Sequence, residues 1–210
     1  MPQAGHVTYT GDSAALDDCL EQLGVSEIEK LRINSRGGSA KPTLELAQRL
    51  VGKIDLVVVD GVCASSCANY LLAIADRLVV EPGSLILLHG AIDVETVSEY
   101  LDKNQSELRR QAPQVSEEEI MRALERVLAN TREDARHQGE FASARLACRD
   151  WLDPDLHFRP GDVPEGLEYL VATKAMTLRC FKRTRVERFW EPSKRDQERL
   201  AAEGIVVAQR

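Results

Sequence analysis

IDLVVVDGVCASSCANYLL (54–72) holds the transition on which the fold turns. IDLVVVDG (54–61) is a nearly continuous β-branched run, the pattern of a strand buried on both faces. Small, polar and oxidisable residues follow it, and residues 66–75 read as a helix. Two adjacent serines between two cysteines at such a junction admit three readings. They are a metal site, a disulfide in a packed turn, or a nucleophile with a cysteine clamp around it.

Working outward, HVTYTG (6–11) alternates as a strand, and Ala14 to Leu23 has helical apolar spacing closed by Gly24. IEKLRIN (28–34) is a second strand. The spacing predicts a helix over 39–51, with Pro42 tolerated in its first turn and Leu44, Ala47 and Val51 on one face. After the quoted stretch come strands at RLVVE (77–81) and SLILLHG (84–90). The order β-α-β-α-β-α-β-β predicts an α/β fold with a largely parallel sheet and right-handed crossovers.

From about residue 94 the character changes to long polar helices. VETVSEYLDKNQSELRRQ (94–111) is one. A second opens with the capping box Ser116…Glu119 and carries Ile120, Leu124, Val127 and Leu128 on one face. Asp150 to Pro164 is rich in Asp, Pro and Gly and reads as a loop. Lys174 to Arg199 holds nine Lys or Arg against four Asp or Glu, which reads as a solvated helix face.

The 210 residues suffice for one well-buried core or one domain with an appendage, and 43% hydrophobic with 29% charged residues is ordinary globular composition. A net charge of −7 lacks the basic footprint of a general nucleic-acid binder. No apolar run approaches the roughly 20 residues that a membrane-spanning helix needs. MPQAGHVTYTGD (1–12) lacks the basic start and apolar stretch of a signal peptide. Five cysteines leave at least one thiol unpaired within the monomer. Cys63 and Cys67 have no second pair at zinc-ribbon spacing, and His6, His89, His137 and His157 are scattered, so neither a metal nor a cofactor is expected.

Three strand ends collect the residues capable of chemistry. Asn34-Ser35-Arg36-Gly37-Gly38 follows one strand, Cys63-Ala64-Ser65-Ser66 follows the next, and His89 ends a third. In a parallel sheet these carboxyl ends gather on one edge, where open α/β folds bind ligands. Glycines allow close approach and can present amides to an oxyanion. A serine just before a helix is exposed by the turn and sits in positive potential, and a neighbouring histidine can deprotonate it.

INSRGG (33–38), GVCASSCANYL (61–71) and SLILLHGA (84–91) resemble the proteolytic subunit of Clp protease and its relatives in the ClpP/crotonase-like superfamily. The likeness runs in order and spacing from residue 6 to about 91. It implies a spiral of β-β-α units over residues 1–165, with 166–210 an appendage packed on the same domain. It places the nucleophile on Ser65, the base on His89, and the oxyanion amides on Gly37 and Ser66. The third triad member falls on Asp150, within RDWLDPD (149–155), with Asp153 and Asp134 as alternatives. Arg36 replaces a family proline, and Ser66-Cys67 replaces a Met-Gly pair. The lysine base of signal-peptide peptidase A has no counterpart, because Lys41 and Lys53 lie off the motif positions.

The C-A-S-x-C form is similar to an exported bacterial branch of the superfamily, which implies a periplasmic protein whose leader is absent from this sequence; the residues themselves leave the cytoplasm open. Cys63–Cys67 is either a disulfide stapling the turn or a pair of buried thiols, and Cys148 with Cys180 is a second candidate pair. The leading expectation is a serine hydrolase, a peptidase with a peptide or protein substrate, assembled as a homo-oligomer. The competitors are a non-catalytic ClpP-like binding or assembly module and a crotonase-type acyl-thioester enzyme.

Overall fold

The computed structural model describes residues 4–25, 27–111, 113–159 and 163–208. Among these, eight strands form one mixed, mostly parallel sheet. They are β1 (Ala4–Thr10), β2 (Glu27–Ser35), β3 (Ile54–Ala64), β4 (Arg77–Val80), β5 (Leu85–Leu88), β6 (Tyr169–Val171), β7 (Arg185–Phe189) and β8 (Ile205–Val207). The helices are α1 (Leu16–Leu23), α2 (Ala40–Leu50), α3 (Val94–Gln111), α4 (Glu117–Arg145), α5 (Lys174–Cys180) and α6 (Lys194–Ala201). The chain is thus α/β. It divides into two compact units, one of residues 1–91 with 142–210 and one of residues 92–141.

The sheet branches at β3. Leu56 to Val59 pair in parallel with β4, whereas Val62 to Ala64 pair in parallel with β5. The change of partner occurs at Gly61, which has φ +111°. A Cβ there would lie 2.8 Å from the Asn34 carboxamide carbon. Asn34 Oδ1 instead accepts from the Val62 amide at 3.0 Å, and the Gly61 amide donates to Ser84 Oγ at 2.8 Å. The bend therefore needs glycine, and it aims the end of β3 at the end of β5.

Val57, Val58 and Val59 are buried, as their β-branched run predicts. Each such side chain contributes about 1.5–3 kcal/mol by leaving water. In α2 the buried face is Thr43, Leu44, Leu46, Ala47 and Leu50; Val51, expected on that face, is the exposed C-cap residue.

The stretch from 174 to 199 departs from the expectation of one solvated helix face. It is α5, β7 and α6, and β7 pairs in parallel with β4. Its charges form cross-strand pairs, with Arg188 Nη2 donating to Glu81 Oε1 at 2.7 Å and Arg77 Nη1 to Glu187 Oε1 at 3.3 Å. A row of alternating charges thus marks a strand here. β6 joins β5 antiparallel and β8 joins β6, so the sheet continues through residues 166–208. The part that separates as a unit is instead the helical segment 92–141. There the capping box holds: the Glu119 amide donates to Ser116 Oγ at 3.3 Å, and the Ser116 amide to Glu119 Oε2 at 3.0 Å. Hydrogen bonds from Ser116 hold the Glu119 carboxyl below the usual carboxylate range.

Candidate active site

Register brings the two central residues together. Ala64 of β3 is opposite Leu87 of β5, and the Ser65 amide donates to the Leu87 carbonyl at 3.0 Å. The next residues of each strand end therefore emerge side by side. Ser65 Oγ lies 2.6 Å from His89 Nε2, a hydrogen-bond distance at which a neutral imidazole accepts the hydroxyl proton. Beneath them Ala64 and Leu87 pack with Val171 and Leu200 in one apolar cluster.

Ser65 has φ +54°, alone among the described non-glycine residues in lying at positive φ. The left-handed conformation costs an L-residue about 1–2 kcal/mol and persists only where the surroundings enforce it. Three constraints do so. The Ser65 amide is tied to β5, the Ser65 carbonyl accepts from the Asn69 amide at 2.8 Å, and a disulfide joins Cys63 to Cys67 across it. The Cα atoms of that disulfide are 5.4 Å apart. The helix it enters is not regular: Cys67–Leu71 is a single widened π turn, followed by a 3-10 turn at Leu72–Ile74. Such widened turns recur at functional sites.

Gly37 abuts the serine. At φ +97°, a Cβ on Gly37 would lie 2.6 Å from Ser65 Cβ and 2.8 Å from the Ala64 carbonyl, so only glycine fits. The Gly37 amide donates to Ser35 Oγ at 3.2 Å. The Ser66 amide belongs to the start of the helical segment, among the donors left without an intrahelical acceptor. The Ser66 side chain is buried and structural: its Oγ donates to the Gly38 carbonyl at 3.1 Å and is 2.8 Å from Ser13 Oγ, which in turn is 3.0 Å from Thr43 Oγ1. This hydroxyl chain knits the glycine loop to the serine turn.

Asp150 does not reach His89. Its carboxylate is engaged by the Arg179 guanidinium and lies 3.9 Å from His157 Nδ1. Asp153 occupies the N-cap position of the short 3-10 turn Pro154–His157 without a side-chain cap bond, and Asp134 belongs to the helical unit. Among the described residues no carboxylate hydrogen-bonds His89. Its ring packs edge-on to Tyr169, with centroids 5.4 Å apart. The adjoining Gly90 carbonyl accepts from Asn69 Nδ2 at 3.0 Å, which ties the His89 strand end to the serine helix. Asn69 Oδ1 is buried with no partner among the described residues.

Ser13, Thr43, Asn69 and Tyr169 carry no motif of their own. Only Asn69, one turn beyond Ser65, had a position that pointed here. The second cysteine pair, Cys148–Cys180, is also a disulfide, with Cα atoms 4.9 Å apart, and Cys19 is free and half-buried. Trp151, fully buried, donates from Nε1 to the Ala68 carbonyl at 3.1 Å and so props the helix behind the serine.

No protein-family model matches this chain, and no curated protein matches it in sequence. Among the described residues no helix is long and apolar enough to cross a membrane.

Proposed function

We propose that this protein is a serine hydrolase that cleaves peptide or protein substrates through an acyl-enzyme, built on a ClpP/crotonase-like spiral. The observation that carries the reading is Ser65 Oγ at 2.6 Å from His89 Nε2, on a serine held at positive φ where a strand meets a helix. His89 Nε2 takes the Ser65 proton as Oγ attacks the substrate carbonyl. The oxyanion then meets the amides of Gly37 and Ser66. The Gly37 amide now serves a neutral hydroxyl, which a charged oxygen outcompetes. Protonated His89 returns the proton to the leaving group, and water repeats the sequence to release the acid. Each oxyanion donor is worth about 3–4 kcal/mol in the transition state.

The catalytic unit is a Ser-His dyad, with Tyr169 and the Asn69–Gly90 bond in place of an acidic orienter. That no carboxylate among the described residues bonds His89 is also the observation favouring the second reading, a non-catalytic binding module. A crotonase-type thioester enzyme has no use for the Ser65–His89 pair. The two disulfides support an oxidising, exported setting. Homo-oligomeric assembly follows from the family likeness.

Turnover of a chromogenic ester separates the readings. The hydrolase gives a burst of one leaving group per chain, abolished in Ser65→Ala and His89→Ala. A folded chain with no burst and no turnover selects the binding module.

A further inference from the structure

Asp150 and its neighbours form a cluster of their own. Cys148 Sγ, Cys180 Sγ and an Asp150 carboxylate oxygen all lie within 4.8 Å of one another. Cys180 Sγ is 3.7 Å from Asp150 Oδ1, and His157 Nδ1 is 3.9 Å from Asp150 Oδ2. The His157 and Asp150 side chains are only 9% and 17% exposed. The contact of Asp150 Oδ1 with Cys180 Sγ is to a disulfide sulfur, which has no proton to offer it, whereas a thiol or a bound cation would engage that oxygen.

We propose that Cys148, Asp150, His157 and Cys180 are the ligands of a zinc-class cation in the dithiol state of the chain, a state exclusive with the Cys148–Cys180 disulfide. Two thiolates, one carboxylate and one imidazole are a tetrahedral donor set for a borderline-soft divalent ion. With metal–sulfur bonds near 2.3 Å and metal–nitrogen or metal–oxygen bonds near 2.0–2.1 Å, tetrahedral donors stand roughly 3.3–3.8 Å apart. The observed 3.7 Å is already in that range; His157, 3.9 Å from Asp150 but outside the 4.8 Å cluster of the other three donors, turns toward the sulfurs to complete the set. A thiol reductant supplies two electrons and, with two protons from solvent, converts the disulfide to two thiols. Each thiol then releases its proton as its sulfur binds the ion. The assembled site carries one net negative charge, and the Arg179 guanidinium already resting on Asp150 neutralises it. Because Trp151 follows Asp150 and props the Ser65 helix, either closure, disulfide or metal, fixes the same buttress. Sequence spacing hides the site, since its cysteines are 32 residues apart.

The test uses the full chain, reduced with a phosphine under argon, desalted and titrated with cobalt(II). One equivalent is expected to give tetrahedral visible bands with thiolate-to-cobalt charge transfer, bleached by zinc and absent from the oxidised chain. Zinc is expected to slow alkylation of Cys148 and Cys180 of the unmutated chain by iodoacetamide, read by peptide mass, while leaving the rates at the buried Cys63 and Cys67 unchanged. Asp150→Asn and His157→Ala are each expected to weaken binding about tenfold or more. Absence of the charge-transfer band, alkylation of Cys148 and Cys180 at the same rate with and without zinc, or equal binding by the oxidised chain overturns the proposal.

Discussion

Two substitutions at Ser65 separate the strain of the turn from its chemistry. Ser65 has φ +54°, where an L-residue bears a cost of about 1–2 kcal/mol that glycine escapes. Ser65→Ala keeps a Cβ in that conformation; Ser65→Gly does not. Both lose the hydrogen bond to His89, so it cancels in the comparison. Glycine has greater freedom in the unfolded chain, which offsets the relief by about 0.4–1 kcal/mol. The net expectation is that Ser65→Gly is more stable than Ser65→Ala by about 0.5–1 kcal/mol. For a chain of this length a kcal/mol moves Tm by about 2–4 °C, so the glycine variant should melt roughly 1–4 °C higher. Calorimetry on both variants, with disulfides intact, reads the difference directly. An alanine variant melting at or above the glycine variant refutes the claim that the fold holds residue 65 under strain.

The glycine loop and the cysteines give further tests. Gly37→Ala puts a Cβ 2.6 Å from Ser65 Cβ and 2.8 Å from a backbone carbonyl, so the serine must move; the ester burst should slow by about 100-fold. A burst within a few-fold of the parent would show that Gly37 does not set the serine. Ser66→Ala removes a buried hydroxyl bonded to Gly38 and Ser13 but keeps its amide. It should lose about 1–3 kcal/mol in urea unfolding while retaining far more burst rate than Ser65→Ala. Loss of the burst with unchanged stability would reverse the roles of the two serines. The cysteine pairs should divide between activity and stability. Cys63 and Cys67 are four residues apart and Cys148 and Cys180 thirty-two, so loop-closure entropy makes the second pair the larger stabiliser. Double alanine replacement of the first pair should slow the burst more and lower Tm less than replacement of the second, and the opposite order contradicts the staple.

Much of this was legible in the residues because local pattern and tertiary environment agree. Val57, Val58 and Val59 of the β-branched run are buried, Gly24 caps α1 at φ +63°, and Ser116 with Glu119 forms its box. The convergence of Gly37, Ser65 and His89 followed from strand ends sharing one sheet edge. What escaped depends on register and distance in sequence. Nothing in Tyr169–Val171 announces an antiparallel partner for β5, since three residues carry too little alternation to read. The charges of Glu187 and Arg188 suggested a solvated helix, but their partners Arg77 and Glu81 lie more than a hundred residues away. Asp150 occupied the expected place in the chain, yet Arg179 and His157 engage it, and only the fold could reveal them. The hydroxyl chain Ser13–Ser66 likewise spans 53 residues and leaves no local trace.

The most direct measurement is labelling with a fluorophosphonate, followed by peptide mass spectrometry. The Ser65–His89 bond predicts a single adduct, on Ser65, formed by the parent chain and lost in His89→Ala while that variant still unfolds cooperatively near the parent Tm. An adduct on Ser66, equal labelling without His89, or no adduct on folded protein contradicts an activated Ser65.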